Sequence, residues 1–262
     1  MFLGDIVGQP GREAVLRLLP EMKKEKDIDL VIANGENMAG GFGMTPPLLE
    51  ELFAAGIDVF TSGNHVWDKK EILEIMSSET RLLRPANFAP EAPGRGAGIY
   101  DVGEYQVAVI NLIGRVFIPF PSDCPFQVAS REVEKALQVT PNVIVDFHAE
   151  ATSEKLALGW LLKDKVSAVL GTHTHVQTAD EKIYAEKAAY ISDVGMVGPY
   201  HSVLGLDPER VLNRFMRGLP VGLELASGEV VFNGVHLTLD PRSGKALELQ
   251  RIFQLISLEG RT

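Results

Sequence analysis

Short apolar runs that end in polar residues recur along this 262-residue chain and alternate with stretches of helical spacing. Residues 1–4 read as a very short strand that stops at Asp5. Residues 11–26 follow with apolar positions at Val15, Leu18, Leu19 and Met22, the spacing of an amphipathic helix, which Pro20 is expected to kink or shorten. Residues 28–37 are apolar as far as Ala33 and polar beyond it, a second strand. Residues 45–56 predict a helix with prolines in its first turn and Gly56 at its stop. Residues 57–65 repeat the strand with a polar ending, and residues 69–78 predict another helix.

The middle of the chain changes rhythm. Residues 96–114 carry an Asp-Val-Gly-Glu turn between two strand-like runs and predict a hairpin. Residues 130–139 are helical in spacing. Residues 142–150 and 167–176 are two further strands that run into polar residues, with a helix over 151–165 between them. Residues 182–195 and 218–256 read as antiparallel and strand-rich, with turns at Ser-Gly-Glu and Pro-Arg-Ser-Gly. Neither an internal repeat nor a flexible linker interrupts the pattern. Short parallel strands joined by helices predict a layered α/β fold, and one domain over residues 1–262 built around two sheets is expected.

The polar endings are the candidate chemistry. Five apolar runs end at Asp5, at Glu36 and Asn37, at Asn64 and His65, at Asp146 and His148, and at His173 and His175. The C-terminal ends of parallel strands open onto one edge, so these residues can meet although they are far apart in sequence. Each alone has a plain structural reading as a turn former, a helix cap or a satisfied histidine. Together they form a set of carboxylates and imidazoles too costly to bury without a cation or mutual pairing. Imidazoles with carboxylate and amide oxygens suit Mn, Fe or Zn, and the donors are too many for one tetrahedral zinc. They fit two ions sharing a bridging carboxylate, able to hold a hydroxide and to grip two substrate oxygens.

Charge and composition narrow the partners. Lys plus Arg number 25 and Asp plus Glu 35, a net charge of −10 that does not suggest a broad nucleic-acid-binding face. A small nucleotide remains compatible with it. Cys124 is the only cysteine, so an intrachain disulfide and a thiolate metal cluster are excluded. No apolar stretch is long enough for a membrane span and no basic segment leads into a signal core, so a cytoplasmic protein is expected. Gly40, Gly41 and Gly43 could bring backbone N–H groups close to a phosphate, but the Lys-Ser/Thr ending of a nucleotide P-loop is absent.

The motifs "GDIVG" (4–8), "NGENMAGGFG" (34–43), "TSGNHVWD" (61–68), "RPANF" (84–88), "VDFHAEATSEK" (145–155), "GTHTHVQTAD" (171–180) and "DVGMVGPYHSVLG" (193–205) occur in this order. In these the chain resembles the YmdB-like branch of the calcineurin-like metallophosphoesterases, densely over residues 1–205 and more loosely beyond. The resemblance implies a sandwich of two mixed β-sheets flanked by helices, a dinuclear metal centre, and phosphodiesterase activity with 2′,3′-cyclic nucleotides as the usual substrate. Asp5, Glu36 and His175 then resemble the first metal's ligands, with Glu36 bridging and Asn37 beside it. Asn64, His148 and His173 resemble the second metal's remaining ligands, and His65 the catalytic or phosphate-contacting histidine. The wider superfamily opens with Asp-x-His and bridges with Asp. Here Asp5-Ile6-Val7 and Glu36 stand instead, which leaves the first site short of one imidazole and tilts the metal toward iron or manganese over zinc. The branch typically has Asp where this chain has His201, a change that either alters substrate preference or is a loop residue without ligand contact.

Three rivals differ from this reading in testable ways. A barrel amidohydrolase places its HxH on the first strand, whereas here it comes last. A phosphomonoesterase of the same fold shares every ligand. A metal- or nucleotide-sensing module would keep the ligands and lack turnover. A homo-oligomer is compatible with all three.

Overall fold

Alternation along the strands sorts their side chains onto two faces, and the computed structural model shows where each face goes. It describes residues 1–184, 187–222 and 224–258. Residues 185 and 186 of the strand-rich run 182–195, residue 223 of the run 218–256, and the last four residues of the chain lie outside the described residues.

One sheet holds β1 (Phe2–Leu3), β2 (Asp5–Ile6), β3 (Ile32–Asn34) and β4 (Val59–Thr61), with α1 (Gly8–Glu25) and α2 (Pro46–Ala54) as its crossovers. The other begins with the hairpin β5 (Ala97–Val102) and β6 (Tyr105–Ile113). It continues through α3 (Pro125–Leu137), β7 (Val143–His148), α4 (Thr152–Leu162), β8 (Ala168–Thr172), β9 (Lys182–Ile183) and β10 (Ala189–Ile191). The chain then returns to the first sheet with β11 (Met196–Pro199), passes through α5 (Pro208–Arg217), and ends on the hairpin β12 (Val230–Asp240) and β13 (Lys245–Ile256). The sheet orders are β2-β11-β12-β1-β3-β4 with β13 on β12, and β5-β6-β7-β8-β10-β9. Both are mixed: β1, β3 and β4 run parallel, as do β6, β7, β8 and β10, while β12 and β5 run against their neighbours. The expected two-sheet α/β class is the one observed.

Three apolar layers follow from the alternation. Ala33, Phe60 and Ile6 face α1 and α2 through Val15, Leu19 and Leu49. Val145, Phe147 and Val169 face α3 and α4 through Val133 and Leu158. Between the sheets lie Phe2, Ile32, Val59, Val109, Ile144 and Leu170. A period of two carries this middle face onward to Asn34, Thr61, Asn111, Asp146, His148 and Thr172, all buried. The space between the sheets is therefore apolar along most of its length and polar at the strands' C-terminal end.

Five expectations need correction. The strand ends at Asp5, Glu36 and Asn64 belong to one sheet and those at His148 and His173 to the other, so the edge is shared by two sheets. Residues 69–78 form only a 3₁₀ turn, Lys70–Glu74. Ile72 and Met76 are buried, but Ser77 and Ser78 are weak helix formers and the chain must return at once to set Leu82 beside Phe60. The interval 196–217, left without a helix, contains α5, which Asp207 caps by accepting from Arg210 N at 3.0 Å and Gly218 closes at φ 63°. Residues 218–229 carry no strand among those described beyond a single bridge at Leu225. Pro20 does not interrupt α1; it sits on the exposed side of a helix that continues to Glu25. No helix among the described residues is long and apolar enough to cross a membrane.

Candidate metal centre

Gly4 sets the position of Asp5. A Cβ there would lie 1.9 Å from the Gly195 carbonyl oxygen, so only glycine lets the chain step from the β12–β1–β3 pairing to the β11 pairing. Asp5 emerges from this break fully buried. Its Oδ2 accepts from His173 N at 3.1 Å, while its Oδ1 is 3.8 Å from His175 Nε2 and has no hydrogen-bond partner.

Glu36 and Asn64 approach from the neighbouring strand ends of the same sheet. Glu36 Oε1 is 2.9 Å from His148 Nε2, and Glu36 Oε2 accepts from His65 N at 3.1 Å. Asn64 Oδ1 is 3.2 Å from His148 Nε2. Gly63 permits this crowding, because a Cβ there would fall 2.2 Å from the His148 ring and 2.4 Å from Glu36 Oε2. His173 Nδ1 completes the group at 3.0 Å from His148 Nε2. Glu36, His148 and His173 thus form a cluster able to hold a metal ion.

Each imidazole has its second nitrogen already committed. His148 Nδ1 lies 3.0 Å from Thr172 Oγ1, whose hydroxyl donates to Asp146 Oδ1 at 2.8 Å, so Nδ1 carries the proton. His173 Nε2 is 3.0 Å from Glu150 Oε2. His175 Nδ1 donates to the Leu204 carbonyl at 3.1 Å. The other nitrogen of each ring therefore faces inward, the arrangement that outer partners impose on metal-binding histidines.

The electrostatics show what the protein alone must tolerate. Burial pushes the His148 imidazole down, but Glu36, Asp5 and Asp146 outweigh it and raise it to about 9. Burial, reinforced by the charge on His148, lowers His173 to about 3. Burial pushes Glu36 up, yet His148 and the His65 contacts bring it to about 2. Burial raises Asp5 and lifts Asp146 to about 7. One imidazolium thus serves several carboxylates while its neighbour stays neutral. A divalent cation would neutralise the carboxylates, displace the proton from His148 Nε2, and accept the inward nitrogens of both rings. The buried Oδ1 atoms of Asp5 and Asn37, both without a partner, fit the same group.

The HxH loop is strained and firmly anchored. His173 and His175 both lie at positive φ, 101° and 63°. Asp193 Oδ2 accepts from Thr174 N at 2.9 Å, Thr174 Oγ1 at 2.7 Å and Lys155 Nζ at 2.7 Å. The Lys155 and Asp193 side chains are only 3 % and 1 % exposed. Asp193→Ala is expected to lower stability by about 3–5 kcal/mol, because it strands a buried ammonium, and to reduce metal retention by releasing the loop. Urea unfolding and elemental analysis check this; a loss below about 1 kcal/mol would show that the pair does not hold the loop.

The remaining candidates are placed as follows. His65, 29 % exposed, turns its Nδ1 to Asp68 Oδ2 at 2.8 Å. Asn37 donates from Nδ2 to Gly41 O at 3.0 Å, tying the glycine loop to the cluster's edge, and Gly40, Gly41 and Gly43 all have positive φ. His201 is exposed, 3.5 Å from Glu229 and against the Tyr200 ring, and is not brought to the cluster. Sequence reasoning missed Asp68, Glu150, Thr172, Lys155 and Asp193. Asp193 could have been found, since it ends the apolar run 188–191 much as the predicted ligands end theirs.

The fold is a two-sheet α/β sandwich that gathers histidines and carboxylates where the two sheets' strands end, in a cluster able to hold a metal ion. Its motifs carry the assignment further. The chain belongs to the YmdB-like protein family, whose pattern matches residues 1–252. It is 46 % identical to the 2′,3′-cyclic-nucleotide 2′-phosphodiesterase of Bacillus subtilis (strain 168), over 97 % of this chain and 96 % of that protein. The crystal structure of a novel phosphatase from Mycoplasma pneumoniae matches with a TM-score of 0.92 at 35 % identity, covering 98 % of this chain and 92 % of that one. The crystal structure of a hypothetical protein from Thermus thermophilus matches with a TM-score of 0.91 at 38 % identity, covering 97 % of this chain and 98 % of that one. The family resemblance expected from the motifs therefore holds.

Proposed function

We propose that this chain, acting as one domain, is a metal-dependent phosphodiesterase that opens 2′,3′-cyclic nucleotides to 3′-monoesters. The observation that carries this reading is the inward convergence of three imidazole nitrogens on Asp5, Glu36 and Asn64, each imidazole held by an outer partner. Asp5, Glu36 and His175, with Asn37 beside them, would hold one ion. Glu36, Asn64, His148 and His173 would hold the other, with Glu36 shared. Iron or manganese suits this oxygen-rich set, and zinc is compatible with it. When bound, the ions supply Lewis acidity, offsetting charge on the phosphoryl oxygens and activating water.

The chain's own groups do the rest. Glu36 and Asp5 bring negative charge to a buried place where only cations and imidazolium groups match it. Asp68 accepts from His65 Nδ1 and so leaves Nε2 free. With both ring nitrogens protonated, His65 gives its Nε2 proton to the 2′ oxygen as the P–O2′ bond breaks and water oxygen adds to phosphorus, and the proton released by that water restores the imidazolium. The relative from Bacillus subtilis acts on this class of substrate, which supports the choice of diester over monoester. The net charge of −10 disfavours a polyanionic partner in general, but two bound cations would offset it locally, so the choice rests on that relative.

Anaerobic purification with elemental analysis tests the metal reading, and about two ions per chain are expected after Mn or Fe loading. A single tightly held ion would sink the dinuclear proposal. Values of kcat/KM for a 2′,3′-cyclic nucleotide and for its 3′-monoester, under the same metal load, test the reaction. The cyclic diester is expected to be preferred, and preference for the monoester would overturn the diesterase assignment.

A further inference from the structure

The glycine loop presents an aromatic ring beside the site. Asn37 Nδ2 donates to Gly41 O, Ala39 N to Gly43 O at 3.0 Å, and Arg12 Nη1 to Met38 O at 2.6 Å, so the loop is held at both ends. Gly41 and Gly43 at φ 97° and 78° fold the chain back and lift Phe42 out between them. Gly43 lies so close to the next segment that a Cβ would come within 2.7 Å of Lys69 Cγ and 3.1 Å of Lys69 N. The loop is thereby seated on the turn that follows His65. Phe42 belongs to none of the apolar core clusters and remains 38 % exposed. Its ring centroid is 5.0 Å from that of His65, the planes at 65°.

Core packing therefore does not account for Phe42, and a rigid loop displays it next to the group that would protonate the leaving oxygen. We infer that Phe42 is the platform on which the substrate's nucleobase stacks, so that the enzyme selects a nucleotide over a cyclic phosphate without a base. This rests on the diesterase reading above. When the 2′ oxygen meets His65, the base of the same nucleoside extends within reach of the neighbouring ring. A phenyl ring has no hydrogen-bonding group. Its contribution is a stacking face open to any base, and selectivity is for the presence of a base more than for its identity.

The test compares 2′,3′-cyclic AMP with ribose 2′,3′-cyclic phosphate. In Phe42→Ala the ratio of the two kcat/KM values is expected to fall about tenfold, through KM for the nucleotide. Phe42→Trp should keep the ratio, and a nucleoside 3′-monophosphate should quench its added fluorescence. Phe117, 84 % exposed at φ 64° on the loop after β6, is the comparator, and Phe117→Ala should leave the ratio unchanged. Equal losses on both substrates in Phe42→Ala would mean that the ring only steadies His65, and would overturn the inference. A ratio that moves in Phe117→Ala and not in Phe42→Ala would overturn it as well. Failure of the wild type on both cyclic substrates would refute the diesterase reading instead, and quenching in Phe42→Trp, or its absence, would still decide the platform.

Discussion

Glu36→Gln is expected to preserve the fold and to lower kcat/KM for a cyclic diester by about 10³-fold. Glu36 is 1 % exposed and uses both oxygens, one toward His148 Nε2 at 2.9 Å and one accepting from His65 N at 3.1 Å. Glutamine keeps the shape but offers one oxygen and one donor, so it cannot face a cation on one side and accept from His65 on the other. It also removes the carboxylate that contributes most to raising His148. The loss should exceed that of Asn64→Ala, which touches only the His148 side of the cluster. Kinetics at saturating Mn or Fe, elemental analysis, and thermal unfolding with and without metal check these points. Near-native turnover would refute the bridging role, and a loss no larger than for Asn64→Ala would refute the sharing of Glu36 between two ions.

His65→Ala is expected to separate chemistry from metal binding. The ring reaches Asp68 and Phe42, and its contact with Glu36 is through backbone N–H, which alanine retains. Metal content should stay near wild type while kcat falls by roughly 10²–10³-fold, the scale of a lost general acid or charge stabiliser. A p-nitrophenyl diester, whose leaving group needs no proton, should lose less. Equal loss on both substrates would place His65 on the phosphoryl oxygens, and collapse of the metal content would make it a ligand. Asp68→Asn should cost about tenfold in kcat by freeing the ring to turn and exchange its tautomer. If Asp68→Asn matched wild type, the 2.8 Å contact would have no part in orienting the acid.

Much of this is legible in the sequence. Short apolar runs and the polar residues ending Ile32–Asn34, Val59–Thr61, Val143–His148 and Ala168–Thr172 marked the strands and most of the candidate ligands. Those signals are local: a strand buried on both faces needs apolar side chains along its length, and a polar one at its end must answer to something outside it. The segment 69–78 departs from its predicted helix because its apolar spacing is helical while its length is set by the return to Leu82. The helix Pro208–Arg217 was passed over although Asp207 and Gly218 are ordinary helix boundaries. Asp68 and Glu150 were missed because their role is a contact with a ring, which residue type and spacing do not encode.

By itself, the sequence determined the residue types, the strand ends that carry them, and the glycines at 4 and 63 without which those ends could not approach so closely. Only the tertiary structure decided that the ends belong to two different sheets, and that β11 rejoins the first sheet beside Asp5. It alone showed which nitrogen of each histidine faces inward, that His201 faces Glu229 away from the cluster, and that Phe42 stands beside His65. The physical reason is one of range. Backbone preference and alternation act over a few residues. The nitrogen a histidine presents depends on Thr172, Glu150 or Leu204, and the field on Glu36 comes from His148, 112 positions away along the chain and 2.9 Å away in space.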